Sequence, residues 1–255
     1  MWECSVVALV QSNINMIPKI IHYCWFGGKP LPPLAEKCLA SWKKFLPEYE
    51  IIEWNENNFP LDDYIFAKQA LENRKFAFIS DVCRLHAIKY HGGIYMDTDV
   101  EALKTLDDFL HHNAFSGFEN DDFVPTGLMA SEKNGTWATE MLAYYDNRPF
   151  VKSDGTLDTV SNTFIITQLM REKGFKMNNT LQEIPGYVAF YPNEYFCPKS
   201  YKTGNIDLTA NSYCIHHFAK SWIPAKKRWR NIAKMKVMNI FGHQNIQKII
   251  DLIKR

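Results

Sequence analysis

The sequence has no CxxC pair and no cysteine spacing suited to zinc: Cys4, Cys24, Cys38, Cys83, Cys197 and Cys214 stand far apart. Neither a zinc ribbon nor a disulfide framework organises the chain, and scattered thiols fit a reducing compartment. Long hydrophobic runs are also missing. Near the front only VVALV is continuously apolar, too short for a membrane span, and Glu3 stands where a secretory leader carries bases. The expectation is a cytoplasmic protein with no leader and no span. There is no internal repeat, low-complexity tract or linker, which favours one catalytic domain.

What is present is ordinary globular material: 255 residues, 46% apolar and 22% charged, enough for a sizeable core. Aromatics reach 14%, useful both for packing and for stacking on rings of a ligand. The net charge of +1 conceals an asymmetry. From Lys220 to Arg255 ten Lys or Arg face one acid, Asp251, a balance of +9 that leaves −8 on residues 1–219. No nucleic-acid motif accompanies the basic tail, so nucleic acid is not the expected partner. Lys and Arg interleaved with Trp229, Ile232, Met235, Ile240 and Phe241 fit an interfacial helix, so residues 225–255 are read as a basic amphipathic tail that could meet an anionic membrane surface. Helix packing on the catalytic domain is the plainer alternative. Met16 opens a convincing start, MIPKIIHYCWFGG, so residues 1–16 are read as an N-terminal extension and 17–224 as the domain.

Along that domain, KIIHYCWF ended by Gly27-Gly28 reads as a first buried strand and turn. Leu34, Cys38 or Leu39, Trp42 and Phe45 recur at three-and-four spacing between prolines, predicting a helix, and YEIIEW from Tyr49 to Trp54 predicts a second strand. Strand, helix, strand implies a right-handed parallel crossover and an α/β fold. Helices are expected over 67–72 and 80–90, the second capped by Ser80 and stopped by Gly92-Gly93. Ile94 to Met96 is then a strand buried on both faces. AFSGF and GLMAS predict further strands, TWATEMLAYYDN and TVSNTFIITQLMREKG two more helices.

The central strand runs into Asp97, Thr98 and Asp99. On an extended strand residues two apart share a side, so both carboxylates would sit together at the sheet's carboxyl edge, where ligands of open α/β sheets bind. Neighbouring carboxylates repel unless a cation lies between them, and hard oxygen ligands suit Mn²⁺ or Mg²⁺ with positions left for phosphate oxygens. A calcium loop is excluded: counted from Asp97, the sixth residue is Ala102 and the twelfth Asp108. Asp81 and Arg84, three apart on the preceding helix, share a face that leads into the same cleft, or else form a surface ion pair. In YCIHHFAKSW, His216 and His217 offer a third ligand, the alternative being satisfied core histidines.

SDVCRLHAIKYHGGIYMDTDV, with IPKIIHYCWFGG before it and HHFAKSW behind, resembles the signature of the glycosyltransferases of family 32, across roughly residues 17–224. That resemblance implies an α/β GT-A (Rossmann-like) fold with a mostly parallel central sheet flanked by helices, a nucleotide-sugar donor (UDP-hexose or GDP-mannose), Mn²⁺ dependence and retention of anomeric configuration. It also implies roles for single residues. Asp81 and Arg84 would hold donor hydroxyls and phosphate, Tyr95 would pack beside the nucleotide or sugar, and Trp25 would stack on the base. Asp97 would meet ribose and a metal-bound water, Asp99 would ligate the metal, and Ser221 and Trp222 would close over the diphosphate. The related toxins carry an acid where this chain has His216 and His217. Asn162 or Asp158 would line the acceptor side. The expected product is a bacterial-type surface polysaccharide, capsule or lipopolysaccharide, built on a glycan or lipid-linked acceptor.

Two rivals start from the same residues. A haloacid-dehalogenase-like phosphatase would use Asp97 as nucleophile and Asp99 as acid and base, but it needs a later Lys and acidic pair in a setting that Asp121-Asp122 does not provide. A membrane-peripheral binding module would rest on the tail alone.

Overall fold

The structure is a computed structural model, and it describes residues 17–125 and 127–219. The N-terminal extension, Ser221, Trp222 and the basic tail lie outside the described residues.

β1 (Ile20–Cys24), α1 (Pro33–Phe45) and β2 (Glu50–Trp54) make the expected crossover, with the two strands parallel from Ile20 opposite Glu50 to Cys24 opposite Trp54. Helix α1 begins with Pro33, whose missing N–H is harmless in a first turn. It buries Ala35, Cys38 and Trp42, and the Trp42 indole N–H donates to the Val100 carbonyl at 2.7 Å. α2 (Ile65–Glu72) and α3 (Phe76–His91) follow. Helix α3 starts a full turn before the sequence-based estimate, and Ser80 is not its cap: the hydroxyl sits inside the helix and donates to the Phe76 carbonyl at 3.3 Å. Burial of Ile79 and packing of Phe76 and Phe78 against the core extend the helix upstream, a tertiary gain that outweighs the local capping signal.

Then come β3 (Gly93–Met96), β4 (Val100–Ala102), β5 (Ala114–Gly117), β6 (Leu128–Ser131), α4 (Thr136–Ala143), α5 (Asn162–Glu172), β7 (Gln182–Ile184), β8 (Val188–Tyr191), α6 (Asn193–Phe196) and β9 (Cys214–His216). Here a serine does cap: the Ser161 hydroxyl accepts from the Phe164 N–H at the start of α5. The main sheet has the order β2-β1-β3-β6-β5-β8-β7. β2, β1, β3, β5 and β8 run in one sense and β6 and β7 are reversed, so the sheet is mixed but mostly parallel.

Strand alternation divides the core. Tyr95, Met129 and Phe190 face a layer with Val82, Leu85, Ile88, Trp137 and Ile165 from the helices. Ile94, Met96, Leu128 and Phe115 face the other, with Trp42, Phe109, Phe196 and the β4–β9 ribbon. The glycine pair between α3 and β3 is required by space as well as by φ. A Cβ on Gly93, at φ +100°, would stand 2.6 Å from the Ile20 carbonyl oxygen, so β3 can lie against β1 only because none is there.

A histidine-rich cluster fills the corner behind these glycines. The His22 Nε2–H donates to the Gly92 carbonyl at 2.8 Å, leaving Nδ1 to accept from the Trp54 indole at 3.1 Å, so both nitrogens are satisfied in the neutral ring. Burial lowers the His22 pKa to about 4, the Gly92 bond opposing and the nearby His91 and His86 adding to the fall. The sign follows: the unfolded imidazole takes up its proton near 6.5 and the folded one near 4, so stability is lost as pH falls through that window. The loss is of order 3 kcal/mol for His22. We expect the melting temperature to fall between these two pH values, with the His22 resonance still neutral just below pH 6.5. A His22 titrating at the ordinary imidazole value would contradict the reading.

Candidate active site

β1, β3 and β5 end at one edge of the sheet, and the chemistry-bearing residues gather there. β3 stops at Met96, so Asp97 and Asp99 do not lie on a strand as the alternation argument assumed. They occupy a turn, closed by the Val100 N–H to the Asp97 carbonyl at 2.9 Å, that swings the chain into β4. The carboxylates converge because β9 pairs with β4, Val100 opposite His216, and carries an imidazole across to them. His216 Nε2 is 3.5 Å from Asp99 Oδ1 and 3.9 Å from Asp97 Oδ2. Asp97, Asp99 and His216 each offer a ligand atom, all within 4.8 Å of one another.

His217 is not part of this group. It turns to the opposite side and meets Glu101 at 2.7 Å, which Lys37 also reaches at 2.8 Å, while its backbone N–H donates to the Asp99 carbonyl at 2.9 Å. The Ala219 N–H donates to Asp99 Oδ2 at 2.6 Å, so the segment after β9 clasps the aspartate turn from outside.

From the helical layer, Arg84 Nη2 bridges Asp81 and Asp97, 3.3 Å from an oxygen of each. Its guanidinium lies 4.6 Å above the Tyr95 ring, and the Tyr95 hydroxyl donates to Asp97 Oδ1 at 2.8 Å. Asn162 stands behind, donating to the Asp81 carbonyl at 3.1 Å and to the Tyr145 hydroxyl at 3.2 Å; its Oδ1 is buried without a partner among the described residues. Asp158 is elsewhere: it is buried and held by Arg148 at 2.6 and 2.9 Å. Trp25 follows β1 at the rim of a cleft of about 310 Å³ lined by Gly28, Lys29, Leu31, Glu53, Asn55, Glu56 and Asn57.

The electrostatics are those of a strained, charged site. Burial raises the Asp81 carboxyl to about 6, outweighing the opposing pull of Arg84, and Asp97 adds to the rise. Burial works against the Arg84 charge too, but Asp97 first, then Tyr95 and Asp81, more than restore it. Burial also opposes ionisation of Asp99, yet His216 and the Ala219 N–H bring it down to about 2. His216 is correspondingly raised against its own burial, by Asp99 first and by Cys197 beside it. Two carboxylates with an imidazole suit a borderline-hard divalent ion such as Mn²⁺. Gly127 keeps the space between them open, since a Cβ there would meet Asp97 Oδ2 at 2.9 Å, Val100 at 3.0 Å and His216 at 3.1 Å. Its carbonyl also accepts the Asp97 N–H at 2.8 Å. Neither Gly127 nor Tyr145 stood out in the sequence: a lone glycine ahead of GLMAS and a tyrosine in a helical run have many plainer explanations.

Residues 6–184 match the family described as capsular polysaccharide synthesis protein, a stretch that covers most of the chain and contains this aspartate turn. The chain belongs to that family. The resemblance to the glycosyltransferases of family 32 therefore stands, and the family match holds every residue of the cluster except His216. Two relatives extend the comparison. An uncharacterized glycosyltransferase of Acanthamoeba polyphaga mimivirus is 26% identical over 236 residues, 83% of this chain and 86% of that one. Inositol phosphoceramide mannosyltransferase 3 of Schizosaccharomyces pombe is 31% identical over 124 residues, 46% of this chain. The matched stretch spans only 34% of that fungal protein's own length. Among solved structures, the PaToxG glycosyltransferase aligns with a TM-score of 0.49 and 18% identity over 63% of this chain and 73% of that one.

Proposed function

We propose that this family member is a metal-dependent glycosyltransferase, moving a hexose from a nucleoside-diphosphate sugar to a hydroxyl of a glycan or glycolipid. The observation that carries the reading is the convergence of Asp97, Asp99 and His216 beside the Asp81–Arg84–Tyr95 bridge. A divalent ion held by Asp97, Asp99 and His216 would neutralise charge that builds on the departing diphosphate.

The chain's own residues supply the rest. Arg84, kept cationic and fixed by two carboxylates and the Tyr95 ring, is placed to meet phosphate oxygens without rearranging. Asp81, held by Arg84 and backed by Asn162, is placed to accept a sugar hydroxyl. The cleft beside Trp25 opens at the same sheet edge and offers a ring and several polar side chains to a nucleoside. Attack on the face the diphosphate leaves, with retention, remains the stereochemical proposal. A glycolipid acceptor is favoured by the name of the fungal relative, and a role in surface polysaccharide by the family's description. The phosphatase alternative fares worse, since Asp97 Oδ1 is engaged by both Tyr95 and Arg84 rather than free to attack phosphorus.

The test is a set of donors, UDP-glucose, UDP-galactose, UDP-N-acetylglucosamine and GDP-mannose, each with the full chain and Mn²⁺ or with EDTA. We expect Mn²⁺-dependent release of nucleoside diphosphate from one of them, abolished by EDTA. Turnover of p-nitrophenyl phosphate with no binding of any nucleotide sugar would reverse the assignment.

A further inference from the structure

Beyond β5 the chain is held closely in place. The Phe118 N–H donates to the Tyr191 carbonyl and the Glu119 N–H to the Phe123 carbonyl, both at 2.8 Å, and an Asn120–Phe123 bridge closes the turn that follows. Phe118 packs in the helical layer, so alternation turns Glu119 toward the opposite layer, the one that contains the β4–β9 ribbon and hence His216. The charges acting on Glu119 are those of His216, Asp97 and Asp99, in that order; Asp81 and Arg84 are not among them. Glu119 therefore stands on the side of the aspartate turn away from the Arg84 bridge. Among the described residues no side chain is hydrogen-bonded to its carboxylate, and its oxygens fall outside the close set of three ligand atoms.

We infer that Glu119 is a fourth protein group of this centre, holding water on the divalent ion bound by Asp97, Asp99 and His216. The inference rests on the metal-dependent reading above. A part-buried carboxylate beside two others is unfavourable by itself, and burial with the Asp97 and Asp99 charges does hold Glu119 above its ordinary range, His216 opposing. A divalent ion removes that penalty. A carboxylate one water away is the usual way a protein orients a cation's outer shell.

The test is Mn²⁺ binding by the full chain, followed by electron paramagnetic resonance with and without UDP, for the wild type, Glu119→Gln and Glu119→Ala. Loss of such an outer carboxylate is expected to weaken Mn²⁺ about tenfold or more in both variants, with unfolding midpoints no lower than the wild type's. Affinities within about twofold of wild type in Glu119→Gln would overturn the inference, and so would weakening confined to Glu119→Ala, which would assign shape rather than charge. Wild-type protein that binds no Mn²⁺ would remove the metal-dependent reading itself. These outcomes separate the two claims.

Discussion

Asp99→Asn is expected to reduce Mn²⁺-dependent transfer roughly a thousandfold, the equivalent of about 4 kcal/mol of lost stabilisation of the leaving charge. Asparagine keeps the size of the side chain and one oxygen for the Ala219 N–H, so the clasp on the turn survives. What disappears is the charge that holds His216 as its partner and that would ligate the ion. The melting temperature should therefore move little while Mn²⁺ affinity and turnover fall together. Steady-state kinetics across a Mn²⁺ titration, beside calorimetric binding of the ion, give the check. A variant within tenfold of wild type at saturating Mn²⁺ would show that the group does not serve the reaction.

Arg84→Met should damage both fold and function. The side chains of Arg84 and Asp81 are only 12% and 11% exposed, so removing the guanidinium leaves Asp81 and Asp97 facing each other with no cation between them. Breaking a buried pair by deleting one partner costs about 3–5 kcal/mol, which for a chain of this size lowers the melting temperature by roughly 10 °C. Acid should partly reverse the loss. Asp81 already titrates near 6 in the folded protein, above the ordinary 3.8, and without Arg84 it moves higher. A carboxyl raised in this way stabilises the fold fully only below its unfolded value, and that stability is lost as pH rises through the folded value. The gap between variant and wild type should thus be narrower below pH 6 than above it. Arg84→Lys, which restores charge without the planar fork, should recover stability better than activity. Equal melting of Arg84→Met and wild type at neutral pH would mean that the bridge carries no such energy.

The residues with chemistry in them were legible early because each lies at the end of a strongly patterned element. Asp97 and Asp99 follow an apolar strand, Asp81 and Arg84 share a helical face, and Trp25 closes the first strand. The α/β order of the front half followed from the same periodicities, since buried strands and amphipathic helices declare themselves over a few residues. Helix starts were less legible. α3 begins at Phe76 because aromatic packing upstream outweighed the hydroxyl that looked like a cap.

Other features depended on contacts between distant residues. The Asp97–Asp99 pair occupies a turn, and what joins its carboxylates to an imidazole is β4 pairing with β9, more than a hundred residues apart. That register selects His216 and turns His217 toward Glu101, a choice two adjacent histidines cannot announce, because shifting a strand by one residue exchanges the two faces. Glu119 and Gly127 reach the centre only through the order of β5, β6 and β3 in the sheet. The sequence by itself determined which elements form and which residues carry charge at their ends. Only the tertiary structure decided which of those charges meet, because strand register and sheet order are set by long-range hydrogen bonds and packing, not by local pattern.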